Sequence, residues 1–190
     1  FDEKKMLPIK KGKPSVLDWE NYLTETNLNG FLSYAVVYAK LYERSLFSNV
    51  RFPVGRVNGE DESTTFRLVY NGKKVSRIYD GLYYYRQRDT GASQNKVTDK
   101  RINDTNAFFD DKILFFEDMG RSDLVAFFSA KKAIAFMGLY KNADKIEQKE
   151  FCNKMVRELF KDFFWKSNVP IKYKIYIAYF VIHKAIDKRS

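Results

Sequence analysis

One cysteine and one histidine among 190 residues remove whole classes of chemistry at the outset. With Cys152 alone, an internal disulfide is impossible and a Cys-rich zinc site is excluded, which suits a reducing compartment. Cys152 falls in a helical pattern and is expected as a buried or half-buried small apolar residue. His183 has no ligand-type partners nearby in sequence, so a structural or surface role is expected for it. The unbroken apolar run from Ile175 to Ile182 is too short for a bilayer crossing, which takes about 20 apolar residues. There is no internal repeat, no low-complexity tract, no Gly-rich loop able to cradle phosphate and no G-x-S-x-G nucleophile elbow. Phe1-Asp2-Glu3 opens with charge rather than with a basic end and an apolar core, so the expected location is cytoplasmic, or peripheral on the inner face of the cell membrane.

The residues that are present favour a folded, basic domain. Apolar residues make up 45% of the chain, enough to exclude a disordered protein. Aromatics reach 17%, with 13 Tyr and 17 Phe, which fits dense aromatic packing and equally fits surfaces that stack on sugars or face a membrane. The formal charge of +10 predicts attraction to an anion: a nucleotide diphosphate, an acidic lipid or a nucleic acid. Outside the C-terminal segment Lys alternates with Glu and Asp, which argues against a concentrated nucleic-acid face.

Residues 1–14 are Lys-rich and carry Pro8, Gly12 and Pro14, the pattern of a flexible basic lead. Ser15 has the character of an N-cap, with Asp18 three residues on, and predicts a short helix to about Leu28. Over F-L-S-Y-A-V-V-Y-A-K-L-Y, propensity does not separate strand from helix. The densest stretch runs from Arg51 to Ser93. It contains a Pro/Gly-punctuated loop, then Glu60-Asp61-Glu62 opening a short helix that Asn71-Gly72 and Lys73-Lys74 stop. V-S-R-I-Y-D-G-L-Y-Y-Y follows as a β-rich strand and delivers Arg86 and Arg88 into a loop. Fixed acids and fork-shaped cations suit a site where a hydroxyl loses a proton and a phosphate ester leaves.

From about Thr98 the periodicity becomes that of successive amphipathic helices, broken near Arg121-Ser122 and Lys141-Asn142. Asp144 is expected to cap the next helix with Glu147 at the capping-box position. Cys152, Met155, Val156, Leu159, Phe160, Phe163 and Phe164 then form a core stripe. Asp110-Asp111 and Glu117-Asp118 are expected as solvated helix faces rather than metal ligands. The segment 170–190 opens at Pro170 and sets its apolar run among Lys172, Lys174, Lys184, Lys188 and Arg189. It fits either a helix lying in a membrane interface or one packed on the rest of the domain.

Three motifs in order carry a family resemblance: K-L-Y-E-R-S-L-F at 40–47, F-P-V-G-R-V-N-G-E-D-E at 52–62, and L-Y-Y-Y-R-Q-R at 82–88 with a later Ser. Over residues 15–93 the chain resembles the second half of the catalytic domain of family 2 glycosyltransferases with the GT-A fold, of the type that makes bacterial surface polysaccharides. That family usually has Trp-Asn before its K-L-Y, where this chain has Tyr38-Ala39. Together with the Lys-rich lead and the change of periodicity after Ser93, the resemblance gives a mostly helical α/β chain: a flexible lead at 1–14, the acceptor-side half of a GT-A domain at 15–97 as the resemblance implies, and a helical C-terminal region at 98–190. It favours a strand through Val36 and Val37 that ends with Lys40 and Tyr42 beside an acceptor. Asp61 would be the general base, Glu60 would orient it or the acceptor, and Arg86 and Arg88 would meet the donor diphosphate. The nucleotide-binding half, with its Asp-x-Asp site for Mg or Mn, has no counterpart in these 190 residues. The chain on its own is therefore expected to hold no metal and to be inactive.

The implied function is transfer of a sugar from a nucleotide-sugar donor to a saccharide or lipid-linked acceptor, with inversion. The alternative is a non-catalytic basic module that binds an acidic membrane surface or nucleic acid, by aromatic stacking between cations.

Overall fold

The computed structural model describes residues 12–28, 35–56, 58–80, 82–83, 96–166 and 169–186. The chain is mostly helical, with one small two-stranded sheet among the described residues. It divides into two compact units, Phe1–Pro53 with Thr64–Arg88, and Val54–Ser63 with Asp89–Ser190.

The first unit is built on β1 (Ser15–Asp18), α1 (Trp19–Leu28), a 3-10 turn at Arg44–Phe47, the body of α2 (Glu60–Gly72) and β2 (Lys74–Arg77). β1 and β2 pair antiparallel, with Ser15 opposite Arg77 and Asp18 opposite Lys74. The helix expected from Ser15 therefore starts later, because Ser15–Asp18 are used in pairing. Asp18 takes over the capping role: its carboxylate accepts from the Asn21 backbone N–H at 2.8 Å, and this bond holds it below the usual carboxylate range. The strand expected through Val36 and Val37 is also absent. Residues 35–40 are a turn and bends, Ala39 has φ 54°, and the Lys40 ammonium donates to the Val36 carbonyl. Among the described residues, the β-rich stretch after Gly72 pairs with β1 from Lys74 to Arg77.

α2 ends as its sequence predicts, one residue further on. Lys73, not Gly72, adopts the left-handed conformation at φ 62°, its ammonium lies 3.6 Å from the Tyr70 ring centroid, and its carbonyl accepts from Trp19 N–H at 2.9 Å. Phe66, Leu68 and Val69 of α2 are buried, as are Tyr22 and Leu23 of α1.

Among the described residues, the second unit holds the helices α3 (Asp99–Asp118), α4 (Ser122–Asn142), α5 (Ile146–Phe163) and α6 (Ile171–Ile186). Thr98 caps α3 by accepting from Arg101 N–H at 3.1 Å. Between α3 and α4, Gly120 at φ 68° closes a Schellman turn, with Arg121 N–H donating to Phe116 C=O and Gly120 N–H to Glu117 C=O, both at 2.8 Å. α4 touches the other three helices because it is apolar almost all round. Ala126, Ala130 and Ala133 are buried and let its neighbours approach closely. Ile102, Phe136, Met137, Cys152, Val156, Phe163 and Ile177 complete the core. The expected capping box at Asp144 does not form: Lys145 occupies the cap position of α5, without a side-chain cap bond. The stripe from Cys152 to Phe163 does face the core, with Met155, Leu159 and Phe160 packed at its edge.

Cys152 is fully buried, and burial pushes its thiol up to about 11 from 9.0. Its contribution to stability is complete below pH 9 and is lost as pH rises through about 11, where the folded thiol ionises after the unfolded one already has. Alkylation of Cys152 by iodoacetamide at pH 8 should run about a hundredfold or more slower in the native chain than in denaturant, because it waits on opening of α5. Equal rates would place the thiol at the surface.

Candidate functional site

The acids that open α2 stand on a loop gripped from one side by α3. Gly55 and Gly59 both have positive φ, 80° and 77°, so the chain turns twice in the few residues before Glu60. Gly59 is fixed by sterics as well, since a Cβ there would fall inside the Phe108 ring. Its carbonyl accepts from Ser63 N–H at 3.0 Å, the first bond of the helix.

Side chains of α3 then bind this loop residue by residue. The Lys100 ammonium donates to Gly55 C=O at 2.7 Å, and the Asn58 amide donates to Thr105 Oγ1 at 3.2 Å. The Arg56 guanidinium pairs with Asp111 at 2.6 Å and also donates to Ser63 Oγ. Lys112 pairs with Glu62. Positions 100, 105, 108, 111 and 112 repeat at helical spacing, so one face of α3 makes every one of these contacts.

Lys112 is fully buried and sits among the Phe108, Phe109 and Phe128 rings, 5.1 to 5.7 Å from their centroids. Burial pushes its ammonium below the usual lysine range, while Glu62 opposes that shift. Lys131 is also lowered, chiefly by burial, with Glu62 raising it and Lys112 and Lys172 lowering it further. Glu62 is thus committed to a buried cation. Glu60 and Asp61, both half-buried, follow Gly59 in the same fixed turn at the N-terminus of α2. A carboxylate in this setting can accept a proton without first having to be immobilised.

The remaining expected site residues lie elsewhere in the chain. Lys40 and Tyr42 belong to the first unit and are half-buried; Tyr42 meets Phe47 edge-on at 5.7 Å. Tyr38 stacks on Tyr83 at 5.1 Å. Arg86 and Arg88 lie outside the described residues. Among the described residues no group of three or more His, Cys, Asp or Glu could hold a metal ion. Asp110 and Asp111, expected as solvated, accept from Lys132 and Arg56, each at 2.6 Å. Sequence reading passed over Arg56 and Lys112 and took Asp111 for a solvated acid. The one available signal was the i, i+4 recurrence of polar residues on α3, which an exposed face also has.

Replacing Lys112→Met should cost about 3 kcal/mol in denaturant unfolding, because it leaves the Glu62 carboxylate without its buried partner. Adding Glu62→Gln should recover a large part of that loss. A single variant within about 0.5 kcal/mol of wild type would show that the pair carries no weight. Gly59→Ala should cost about 3 kcal/mol by combining a left-handed backbone with overpacking against Phe108.

Comparison with protein-family models, with curated proteins and with solved structures finds no match for this chain.

Proposed function

We propose that this chain supplies the acceptor-side part of an inverting, nucleotide-sugar-dependent glycosyltransferase of the family 2, GT-A type, with Asp61 as general base. The observation that carries the reading is the acid turn itself. Glu60-Asp61-Glu62 opens α2 immediately after a glycine that tolerates no side chain, and α3 pins the turn through two ion pairs. Such rigidity is more than a helix cap requires, and it is what a positioned base requires. A second support comes from Ala39. The family pattern has Asn at this place, and Ala39 adopts φ 54°, a conformation that Asn accepts more readily than Ala.

In this reading an acceptor hydroxyl of a saccharide or lipid-linked sugar attacks the anomeric carbon of the donor. Its proton passes to the Asp61 carboxylate as the new C–O bond forms. The anomeric C–O bond to the diphosphate breaks, and the leaving electron pair stays on the diphosphate oxygen. Glu60 orients the base or the acceptor, Lys40 and Tyr42 serve the acceptor, and Arg86 and Arg88 bind the diphosphate in bidentate fashion. Glu62 is left out of this role, because it is paired with the buried Lys112. A divalent metal, where the chemistry uses one, comes with the nucleotide-binding half. No residue described above is assigned to it.

The test is Asp61→Asn in an enzyme complete with its nucleotide-binding half. Turnover should fall about 10²–10⁴-fold while acceptor binding and the melting temperature stay near wild type. Full turnover in Asp61→Asn with loss in Glu60→Gln would move the base by one residue. Full turnover in both, with only about 1 kcal/mol of stability lost, would make the acids helix caps and overturn the reading.

A further inference from the structure

α6 has two faces, and only one of them is used inside the second unit. Ile177 and Phe180 are buried against the helical core, with Tyr173 and Val181 packed beside them. On the other side Ile171, Ile175, Tyr179 and Ile182 are 62–70% exposed. At 3.6 residues per turn these four fall within about 80° of arc, so they form one continuous stripe rather than scattered surface residues. Lys172 and His183 border the stripe on one side and Lys174 on the other. Tyr176, also exposed, has Lys141 Nζ 3.2 Å from its hydroxyl, which adds a cation from α4 to the same border.

We propose that this face of α6 docks on the surface of an anionic lipid bilayer, with the helix lying in the interface plane. Charge complementarity selects this occupant over a protein. Residues 171–186 contain no acid, and from Lys161 to the end the sequence has seven basic residues against two acidic ones, in a chain of net charge +10. An isoleucine and tyrosine stripe rimmed by lysines matches the acyl boundary, the headgroup level and the phosphate layer in turn. The helix sinks no deeper: no helix among the described residues is long and apolar enough to cross a membrane. The inner face stays on the core, so docking needs no unfolding. This inference does not depend on the assignment of Asp61.

Flotation of the chain with lipid vesicles tests it. Binding is expected with phosphatidylcholine containing about a third phosphatidylglycerol, is expected to weaken as salt rises, and should be slight with phosphatidylcholine alone. The double variant Ile175→Ser/Ile182→Ser changes only exposed positions, so its melting curve should match wild type while vesicle partitioning falls about tenfold or more. Lys172→Ala/Lys174→Ala should lower partitioning on the anionic vesicles about tenfold and leave the weak binding to phosphatidylcholine unchanged. Three results would overturn the proposal: no flotation of the wild-type chain with anionic vesicles, flotation indifferent to the isoleucine pair, or a solution dimer that the isoleucine pair abolishes in a chain that ignores vesicles.

Discussion

The pairing of the buried Lys112 ammonium with Glu62 is the constraint to which the acid turn answers. An ammonium with no access to water carries a large desolvation cost, and three phenyl faces offset only part of it. The pair is therefore weak evidence for net stability and strong evidence for placement. Wherever α3 puts Lys112, Glu62 has to follow, and the backbone three residues upstream, at Gly59, has to pass beneath Phe108 without a side chain. Arg56, bonded to both Asp111 and Ser63, closes the loop from its other end. Sequence neighbours 58 to 63 thus take their geometry from a helix about 50 residues away.

This arrangement divides the work among three consecutive acids. Glu62 spends its charge on the fold. Glu60 and Asp61 come before it in the first turn, in the positive end of the helix field, on a backbone whose freedom has been removed. In the proposed role, a base held in this way would lose little entropy when a substrate arrives, because the ion pairs and not substrate binding meet the cost of holding it.

Much of the secondary structure could be read from local chemistry, while the partners across the fold could not. α2 was legible because its acids, its apolar turns and its Asn-Gly-Lys-Lys stop agree with one another, and α3 to α6 were legible because their period is long and regular. Ser15 misled because a capping serine and a strand-opening serine look alike until β2, about 60 residues on, supplies the pairing partner. The strand through Val36 and Val37 was implied by the resemblance alone, since propensity there does not separate strand from helix. Among the described residues β1 pairs only with β2, and the segment bends at Ala39 instead. The clamp was hidden for a third reason. Lys100, Asp104, Asp111 and Lys112 at helical spacing have the signature of a solvated face, and only the loop lying across them makes it an interior one.

The same ambiguity runs in the opposite direction at α6. Its apolar run is continuous, so hydropathy alone suggests a wholly buried helix, yet Ile177 is fully buried and Ile175, two positions away, is 63% exposed. A helix in the core has no reason to keep isoleucine on its outer side, where a lysine or glutamate would cost nothing. The lysines are present, but they sit at the edges of the stripe and leave its centre apolar. Polar substitution has been confined to the borders, the pattern expected where the surface meets something apolar in the middle and anionic around it. A protein partner would need its own acids on both sides of an apolar groove to satisfy that pattern, whereas an anionic bilayer presents it at every point of its surface.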